Sequence, residues 1–372
     1  MCVRENLYHG AGADFFLCTL SAFFARLRDS VKSPRYDAIL FVSFGGPERR
    51  EDVIPFLENV LRGRNVPRER MLAVAEHYYH FDGVSPINQQ NQELIEAIQL
   101  RLPEFGLHLP VYWGNRNWHP LLPDTLHTMV EDGIQRALAF VTAAHSSYSG
   151  CRQYRQNIED ARVSAGPAAP QVDKIPVFYN HPDFIAAVAD RLREAIEKFP
   201  APLQPTSHVL FTAHSIPLSM AKTCEYEQQL RESCRLVAEA VGLSEERWKL
   251  VYQSRSGRPE DPWLEPDILD QLHECKQQQV PGVVIVPIGF LSDHLEVKYD
   301  LDVEARQLCD ELQLPMQRAG TVGTHPRFVG MICQLIAERV TGQAARTTAS
   351  QFNPAGDLCA LDCCPAPPRR PG

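Results

Sequence analysis

Long apolar runs are missing from this 372-residue sequence, and the absence of any stretch of 18 or more apolar residues excludes a transmembrane helix. The sequence also lacks GxGxxG and GxxxxGK[ST] glycine loops and the GxSxG serine elbow, so it gives no support for a nucleotide site or a serine hydrolase. Basic residues are fewer than acidic ones. The sequence has 37 Lys and Arg against 46 Asp and Glu, so its net charge is −9. That balance argues against nucleic-acid binding and suits a protein that handles a cation.

Cysteines number 11, an odd count in a chain too long to need disulfide staples. A disulfide framework is therefore not expected, and a reducing, cytoplasmic location fits better. The apolar-leaning segment 13–25 is a poor secretory signal, because Glu5 and Asp14 are acidic and Arg26 and Arg28 follow where a cleavage site should be. We expect residues 1–35 to be a poorly ordered extension.

Short continuous apolar runs alternate with longer helix-like segments. Strands are expected at residues 37–43, 109–113, 138–143, 208–213, 249–253 and 283–290, and helices at residues 52–62, 89–102, 182–198, 222–241 and 326–340. Continuous apolar runs are typical of strands buried on both faces of a parallel sheet. The pattern predicts an α/β fold with two similar Rossmann-like lobes, each a parallel sheet flanked by helices, and a cleft between them.

A short internal echo supports the division into two lobes. FVTAAHS at residues 140–146 is similar to LFTAHS at residues 210–215. Each lobe is therefore expected to present a histidine, His145 or His214, at the carboxyl end of a strand, where open α/β sheets bind ligands. The expected domains are a first lobe at 36–200, a second lobe at 201–325, a helix at 326–342 that returns to the first lobe, and a cysteine-containing tail at 343–372. A loop is expected at residues 166–175.

Three carboxylates follow the last apolar run at a spacing of four residues. Positions i, i+4 and i+8 share one face of a helix, so Glu296, Asp300 and Glu304 are expected to line up. Carboxylate oxygens in such a row could bind a hydrated divalent cation, and a solvated acidic face is the alternative. His214, at a strand end, is placed either for proton transfer or as a hydrogen-bonded structural residue.

The tail contains a cluster of three thiols within six residues, Cys359, Cys363 and Cys364. Thiols gathered outside a core indicate metal ligation. Cys151, in a polar loop, is the candidate for a fourth ligand. Spacing alone does not separate a zinc site from an iron–sulfur cluster.

Six motifs, taken together, resemble the ferrochelatases, and most of all their soluble bacterial branch. They are FGGPE at 44–48, GVSPIN at 83–88, SSYSGCRQY at 146–154, FTAHSIP at 211–217, PWLEPD at 262–267 and GFLSDHLEVKYDLD at 289–302. The resemblance covers residues 36–340 and implies a class II chelatase-like fold. It implies a lyase that inserts Fe²⁺, its substrate, into coproporphyrin III or protoporphyrin IX in haem biosynthesis. Other enzymes of the haem pathway are the expected partners.

Matching motifs also imply the site residues. His214 and Glu296 would flank the porphyrin centre as catalytic and metal-contacting residues, one accepting a pyrrole proton and the other holding the metal, in an order left open. The remaining implied positions are Asp300 and Glu304 on the metal path, Asp293 and His294 beside the pair, Ser85, Arg116, Tyr154 and Trp263 around the porphyrin, and Cys151, Cys359, Cys363 and Cys364 on a [2Fe–2S] cluster.

One residue differs from the family pattern, and two other functions remain as alternatives. Phe44 occupies a position where relatives often have a metal-binding Met or Tyr, and a phenyl ring cannot ligate. The competing functions are a chelatase for cobalt or another metal and a non-catalytic carrier of haem or iron. Residues 51–70 are charged and lack an apolar lip for a membrane, which favours coproporphyrin III slightly.

Overall fold

The computed structural model describes residues 36–63, 66–256, 260–342, 348–350, 352, 360 and 362–366. The expected extension at 1–35 and the candidate ligand Cys359 lie outside these residues. Eight strands form two sheets of four. The strands are β1 Ala38–Ser43, β2 Val111–Asn115, β3 Arg136–Val141, β4 Gln171–Lys174, β5 His208–His214, β6 Trp248–Gln253, β7 Val283–Val286 and β8 Met316–Arg318.

Both sheets are entirely parallel and share one topology. The first has the order β2-β1-β3-β4 and the second the order β6-β5-β7-β8. Every residue of β1 is buried, as is every residue of β7, because helices cover both faces of each sheet. The two-lobed α/β prediction is therefore confirmed.

Twelve α-helices of the described chain surround and connect the sheets. They are α1 Val53–Leu61, α2 Arg68–Tyr79, α3 Ile87–Arg101, α4 Leu122–Glu131, α5 Gln153–Ala165, α6 Pro182–Ile196, α7 Leu218–Ala221, α8 Tyr226–Val241, α9 Ile268–Gln277, α10 Leu295–Val297, α11 Ala305–Glu311 and α12 Pro326–Thr341. Three 3₁₀ segments lie at Arg50–Asp52, Leu102–Phe105 and Glu245–Arg247, and two π-helical segments at Tyr148–Arg152 and Lys298–Glu304. None of the α-helices in the described part combines the length and apolarity that crossing a bilayer requires.

The two lobes share one apolar core. Phe140 of β3 and Phe211 of β5 belong to the same buried cluster, which Phe184 of α6 and Phe328 of α12 connect. The Phe184 and Phe328 rings lie 6.2 Å apart between centroids. Continuous apolar packing of this kind resists relative movement, so the cleft between the sheets has well-positioned walls. The domain boundaries expected at 200 and 325 stay a prediction.

Two strands were not expected, and the strands expected at 138–143 and 283–290 end earlier, at Val141 and Val286. β4 and β8 are four and three residues long and carry polar side chains, so apolar runs do not reveal them. The prediction of a loop throughout residues 166–175 is therefore wrong, since β4 lies within it. β7 stops at Val286, because Pro287 has no backbone N–H to continue the hydrogen-bond ladder.

His145 does not repeat the arrangement of His214. β3 ends at Val141, and His145 lies beyond it with only 4% of its surface exposed. Its Nε2 is 3.0 Å from Ser233 Oγ on α8, so it joins elements of the two lobes. Burial lowers the pKa of His145 to about 3, which keeps the ring neutral. The expectation that it faces a ligand at a strand end is wrong.

The buried His145 should make the protein less stable in acid. An unfolded histidine has a pKa of about 6.5, so the unfolded chain binds the proton first, and the contribution is lost as the pH falls from about 6.5 towards 3. Between pH 7.5 and 5.5 the loss from this residue is about 1.4 kcal/mol. His145→Gln should flatten the pH dependence of the free energy of urea unfolding by that amount. His273→Gln, at an exposed position on α9, is the control, and an unchanged slope in His145→Gln would contradict the analysis.

Candidate active site

His214 is the last residue of β5, and its ring is held in one tautomer. Its Nδ1 hydrogen-bonds to the carbonyl oxygen of Ser215. A carbonyl can only accept, so Nδ1 carries the hydrogen and a neutral ring has its lone pair on Nε2. The Tyr226 hydroxyl donates to the His214 carbonyl oxygen over 3.1 Å and fixes the strand end. The free nitrogen therefore has a defined direction.

Glu296 faces that nitrogen. Its Oε2 lies 3.8 Å from His214 Nε2, too far for a strong hydrogen bond but close enough to act on a shared ligand. The two side chains are 34% and 44% exposed, so small molecules and ions can reach both. Glu296 lies in α10, whose start is capped by His294 through a hydrogen bond from Val297 N to Nδ1 of 3.3 Å. A base and a carboxylate thus meet from two different elements.

The acidic row continues along a widened helix. Residues Lys298–Glu304 form the π-helical segment, so the regular α-helix expected from the sequence is replaced by α10, this segment and α11. Gln253 Nε2 donates to Asp300 Oδ2 over 3.2 Å, and Ser254 Oγ donates to the same oxygen. Burial, together with the charges of Glu296 and Glu304, raises the pKa of Asp300 to about 7.

Asp300 therefore lies near enough to Glu296 and Glu304 for both charges to act on it. The expectation that the three carboxylates share one face stays a prediction. Burial and the neighbouring Asp267 raise the pKa of Glu304. Burial, with added repulsion from Glu296 and Asp300, raises the pKa of Tyr78 in α2 of the first lobe. The row consequently lies between the lobes rather than on an open surface.

Asp293 anchors the segment that carries this row. Its carboxylate forms two hydrogen bonds to Arg318 of β8, of 3.1 Å and 3.2 Å, and Arg318 also binds Asp302. Its backbone N donates to Gln90 Oε1 of α3 over 2.9 Å, which ties the segment to the first lobe. His294 lies near enough to His214 and Glu296 to feel both charges, and burial lowers its pKa.

The predicted porphyrin residues fall into separate groups. Arg116 lies over the Tyr154 ring at 4.4 Å and donates to Asn157 Oδ1 over 2.8 Å, so Tyr154, which is 5% exposed, supports the arginine from below. The Phe44 ring lies 5.6 Å from the same guanidinium. Trp263 has a buried Nε1 with no hydrogen-bond partner among the described residues. An unpaired buried donor is costly unless a ligand satisfies it.

Ser85 lies deeper, beside the glycine pair that follows β1. A Cβ on Gly46 would come within 2.8 Å of Ser85 Oγ, so this glycine admits a neighbouring segment of the protein and only glycine fits. Ser85 also lines a cavity of about 590 Å³ together with Glu48, Trp113 and Lys298. The cavity extends from the first lobe to the segment that bears Glu296.

Three of the four predicted cluster cysteines are described. Cys151, in the first π-helical segment, is buried, and Arg152 Nη1 binds the Cys363 carbonyl oxygen over 3.1 Å. Burial, with added contributions from the Cys151, Cys363 and Cys224 thiols, raises the pKa of Cys364 to about 12. The described residues nevertheless contain no group of three His, Cys, Asp or Glu side chains arranged to hold a metal. The thiols gather near one another but do not by themselves form a complete site.

Several residues that contact or support the candidate site were not predicted, because no motif in the sequence marks them. Gln253 ends β6 and Ser254 follows it. Arg318 lies on the short β8, and His77 and Tyr78 lie on α2 of the other lobe. Each is distant in the sequence from the site residue that it contacts or whose charge acts on it. An apolar run that ends in polar residues, as β6 does, is the one pattern that could have pointed to Gln253 and Ser254.

Comparisons with known proteins agree with this geometry. A family model described as Ferrochelatase matches residues 36–340. The ferrochelatase of Rhodopirellula baltica is 57% identical over 339 residues, which cover 91% of this chain and 96% of that protein. The coproporphyrin III ferrochelatase of Streptomyces coelicolor is 46% identical and covers 92% of this chain and 97% of that protein. The solved structure of SirB from Bacillus subtilis with Fe³⁺ aligns with a TM-score of 0.54 over 84% of this chain and 99% of that one, at 12% identity.

At that identity the structural match concerns the fold alone, and the fold is that of the two-lobed chelatases. A strand-end histidine opposite a row of carboxylates in the cleft gives this fold the groups that metal insertion needs. The chain belongs to the ferrochelatase family. It is an enzyme of haem biosynthesis that inserts Fe²⁺ into a porphyrin.

Arg318 should be essential to the anchoring of the acidic segment. Arg318→Met leaves Asp293 and Asp302 facing each other without a cation, which should lower the free energy of unfolding by about 3 kcal/mol. The control is Arg231→Met, which removes an exposed pair with Glu227 and should change stability by about 0.5 kcal/mol or less. Urea unfolding followed by circular dichroism measures both. Equal losses in the two variants would show that the Arg318 pairs are not structural.

Proposed function

We propose that this ferrochelatase is a lyase that acts on coproporphyrin III, with His214 as the proton acceptor and Glu296 as the residue that delivers Fe²⁺. The observation that carries the assignment is the tautomer of His214. Its Nδ1 is committed to the Ser215 carbonyl, so Nε2 is the free base, and it points to where Glu296 lies. A neutral imidazole with a directed lone pair is suited to general-base work near neutral pH.

The chemistry requires two pyrrole N–H protons to leave and Fe²⁺ to shed its water. Nε2 of His214 can take up one pyrrole proton and release it to solvent, and the second proton can leave by the same route. Glu296, with Asp300 next along the segment, can exchange carboxylate oxygens for the water molecules of the incoming Fe²⁺. Because the acidic row is crowded, a dication that enters it relieves repulsion, which favours capture without a need for tight binding.

In this proposal, side chains of both lobes bind the porphyrin. Arg116 offers a cation at a position supported by Tyr154, suited to a propionate carboxylate. Trp263 offers an unpaired N–H and a flat apolar surface. Ser85 adds a hydroxyl to a cavity that Trp113 and Lys298 also line. These groups would orient the ring while the proton and metal steps take place.

The choice of coproporphyrin III rests on the first lobe and on a relative. Val53, Phe56 and Leu57 of α1 are buried against α2, so the helix turns its apolar side inward rather than towards a membrane. Coproporphyrin III has four carboxylates and does not need a lipid surface for delivery. The Streptomyces coelicolor relative, 46% identical, carries that substrate in its name. We also place the enzyme in the cytoplasm, since the described cysteines are free thiols.

We further propose that the tail binds a [2Fe–2S] cluster through Cys151, Cys359, Cys363 and Cys364. The support is the convergence of three of these thiols, together with the hydrogen bonds by which Arg152 and Arg155 hold the tail against the first lobe. Thiolate ligation would offset the cost of burying Cys151 and Cys364 next to each other.

Variants of the two catalytic residues should separate their roles. Porphyrin metallation is followed by absorbance, anaerobically, with Fe²⁺ and with coproporphyrin III or protoporphyrin IX. His214→Ala should bind porphyrin but lose about 10²–10⁴ in kcat, with partial rescue by added imidazole. Glu296→Gln should recover part of its rate at high Fe²⁺, because a delivery step can be replaced by mass action.

The opposite rescue pattern would exchange the two roles. Faster metallation of protoporphyrin IX than of coproporphyrin III would overturn the substrate assignment. Tight porphyrin binding without metallation by the wild-type protein would favour a carrier.

The cluster proposal makes a separate analytical prediction. Protein purified anaerobically should contain iron and acid-labile sulfide in equal amounts, with the visible absorption of a [2Fe–2S] centre. Cys151→Ser should abolish both, while Cys333→Ala, a buried thiol on α12, should leave them unchanged. Bound zinc in place of iron and sulfide would point to a zinc site instead. The absence of any metal would refute the proposal.

A further inference from the structure

Helix α2 of the first lobe docks directly on the segment that carries the acidic row. Leu295 of α10 is buried in a cluster with Met71, Ala75 and Tyr78 of α2. Leu295 is the immediate neighbour of Glu296, so this packing determines which side chains of the first lobe stand next to that carboxylate. His77 and Tyr78 of α2 lie near enough to Glu296 for its charge to act on the pKa of each.

The His77 ring is held in a defined orientation. It stacks on Tyr299 with 3.8 Å between ring centroids and an interplanar angle of 9°. Tyr299 lies on the π-helical segment between Glu296 and Asp300, so the stack aligns His77 with the acidic row. The side chain remains partly exposed to solvent. Neither ring nitrogen hydrogen-bonds to another residue of the described chain, so a lone pair is available.

Imidazole nitrogen and carboxylate oxygen are both ligands that Fe²⁺ accepts. Burial lowers the pKa of His77, and the charge of Glu296 opposes that shift. The described residues contain no group of three side chains that would hold a metal tightly. A site with two protein ligands and water in the remaining positions binds a metal weakly, so the metal can be passed on.

We propose that His77 is a metal-receiving residue, which captures hydrated Fe²⁺ at the edge of the acidic row and passes it to Glu296. The inference rests on the proposed function, in which Glu296 delivers the metal. It adds a ligand from the opposite lobe that none of the motifs contains. Capture then requires both lobes, which explains why α2 is packed so closely against α10.

Two substitutions at one position separate ligation from packing. His77→Phe keeps an aromatic ring on Tyr299 but has no nitrogen, and His77→Ala removes both. Each should raise KM for Fe²⁺ about tenfold, as expected for the loss of one weak ligand, while KM for the porphyrin and kcat at saturating Fe²⁺ stay within about twofold. His80→Ala is the matched control, because His80 is exposed and contacts the same Tyr299 ring edge-on at 6.0 Å.

The outcomes are distinguishable. If His77→Phe has the wild-type KM for Fe²⁺, the role is packing and the inference is wrong. If His80→Ala raises KM for Fe²⁺ as much as His77→Phe, the effect is not specific to His77 and the inference also fails. If the wild-type enzyme metallates no porphyrin, the proposed function fails first, independently of His77. A rise confined to the two His77 variants and to the metal would support the proposal.

Discussion

Crowding of negative charge along one helical segment is the constraint on which the rest of the site depends. Asp300 lies between Glu296 and Glu304 in the sequence and is half-buried, so its carboxylate is costly to ionise. Gln253 and Ser254 offset part of this cost by donating to one of its oxygens. In the proposed function, a dication that enters the row relieves the remaining repulsion.

Such a segment remains in place only if other contacts hold it. Arg318 binds the carboxylates of Asp293 and Asp302, and Gln90 holds the backbone of Asp293 from the first lobe. Leu295 inserts into the cluster around α2. His214, on the opposite side, is also held in a fixed position, because its ring and its backbone carbonyl are both hydrogen-bonded. The 3.8 Å gap between base and carboxylate results from these anchors in both lobes.

Sequence patterns predicted the larger parts of this architecture. Short continuous apolar runs marked β1, β3 and β5, because strands covered on both faces need continuous apolar side chains. β4 and β8 were not predicted, since short polar edge strands have no such apolar pattern. The echo between residues 140–146 and 210–215 misled about His145. The two segments have similar sequences, but β3 does not occupy the position in its sheet that β5 occupies in the other.

The sequence by itself determined the two parallel lobes, the spacing of Glu296, Asp300 and Glu304, and the placement of His214 at a strand end. These features are local, since each depends on residues within one strand or one helical turn. The tertiary structure alone decided which groups face them. His77 and Arg318 reach the acidic segment from other elements, and no spacing in the sequence encodes a contact between side chains that only packing brings together.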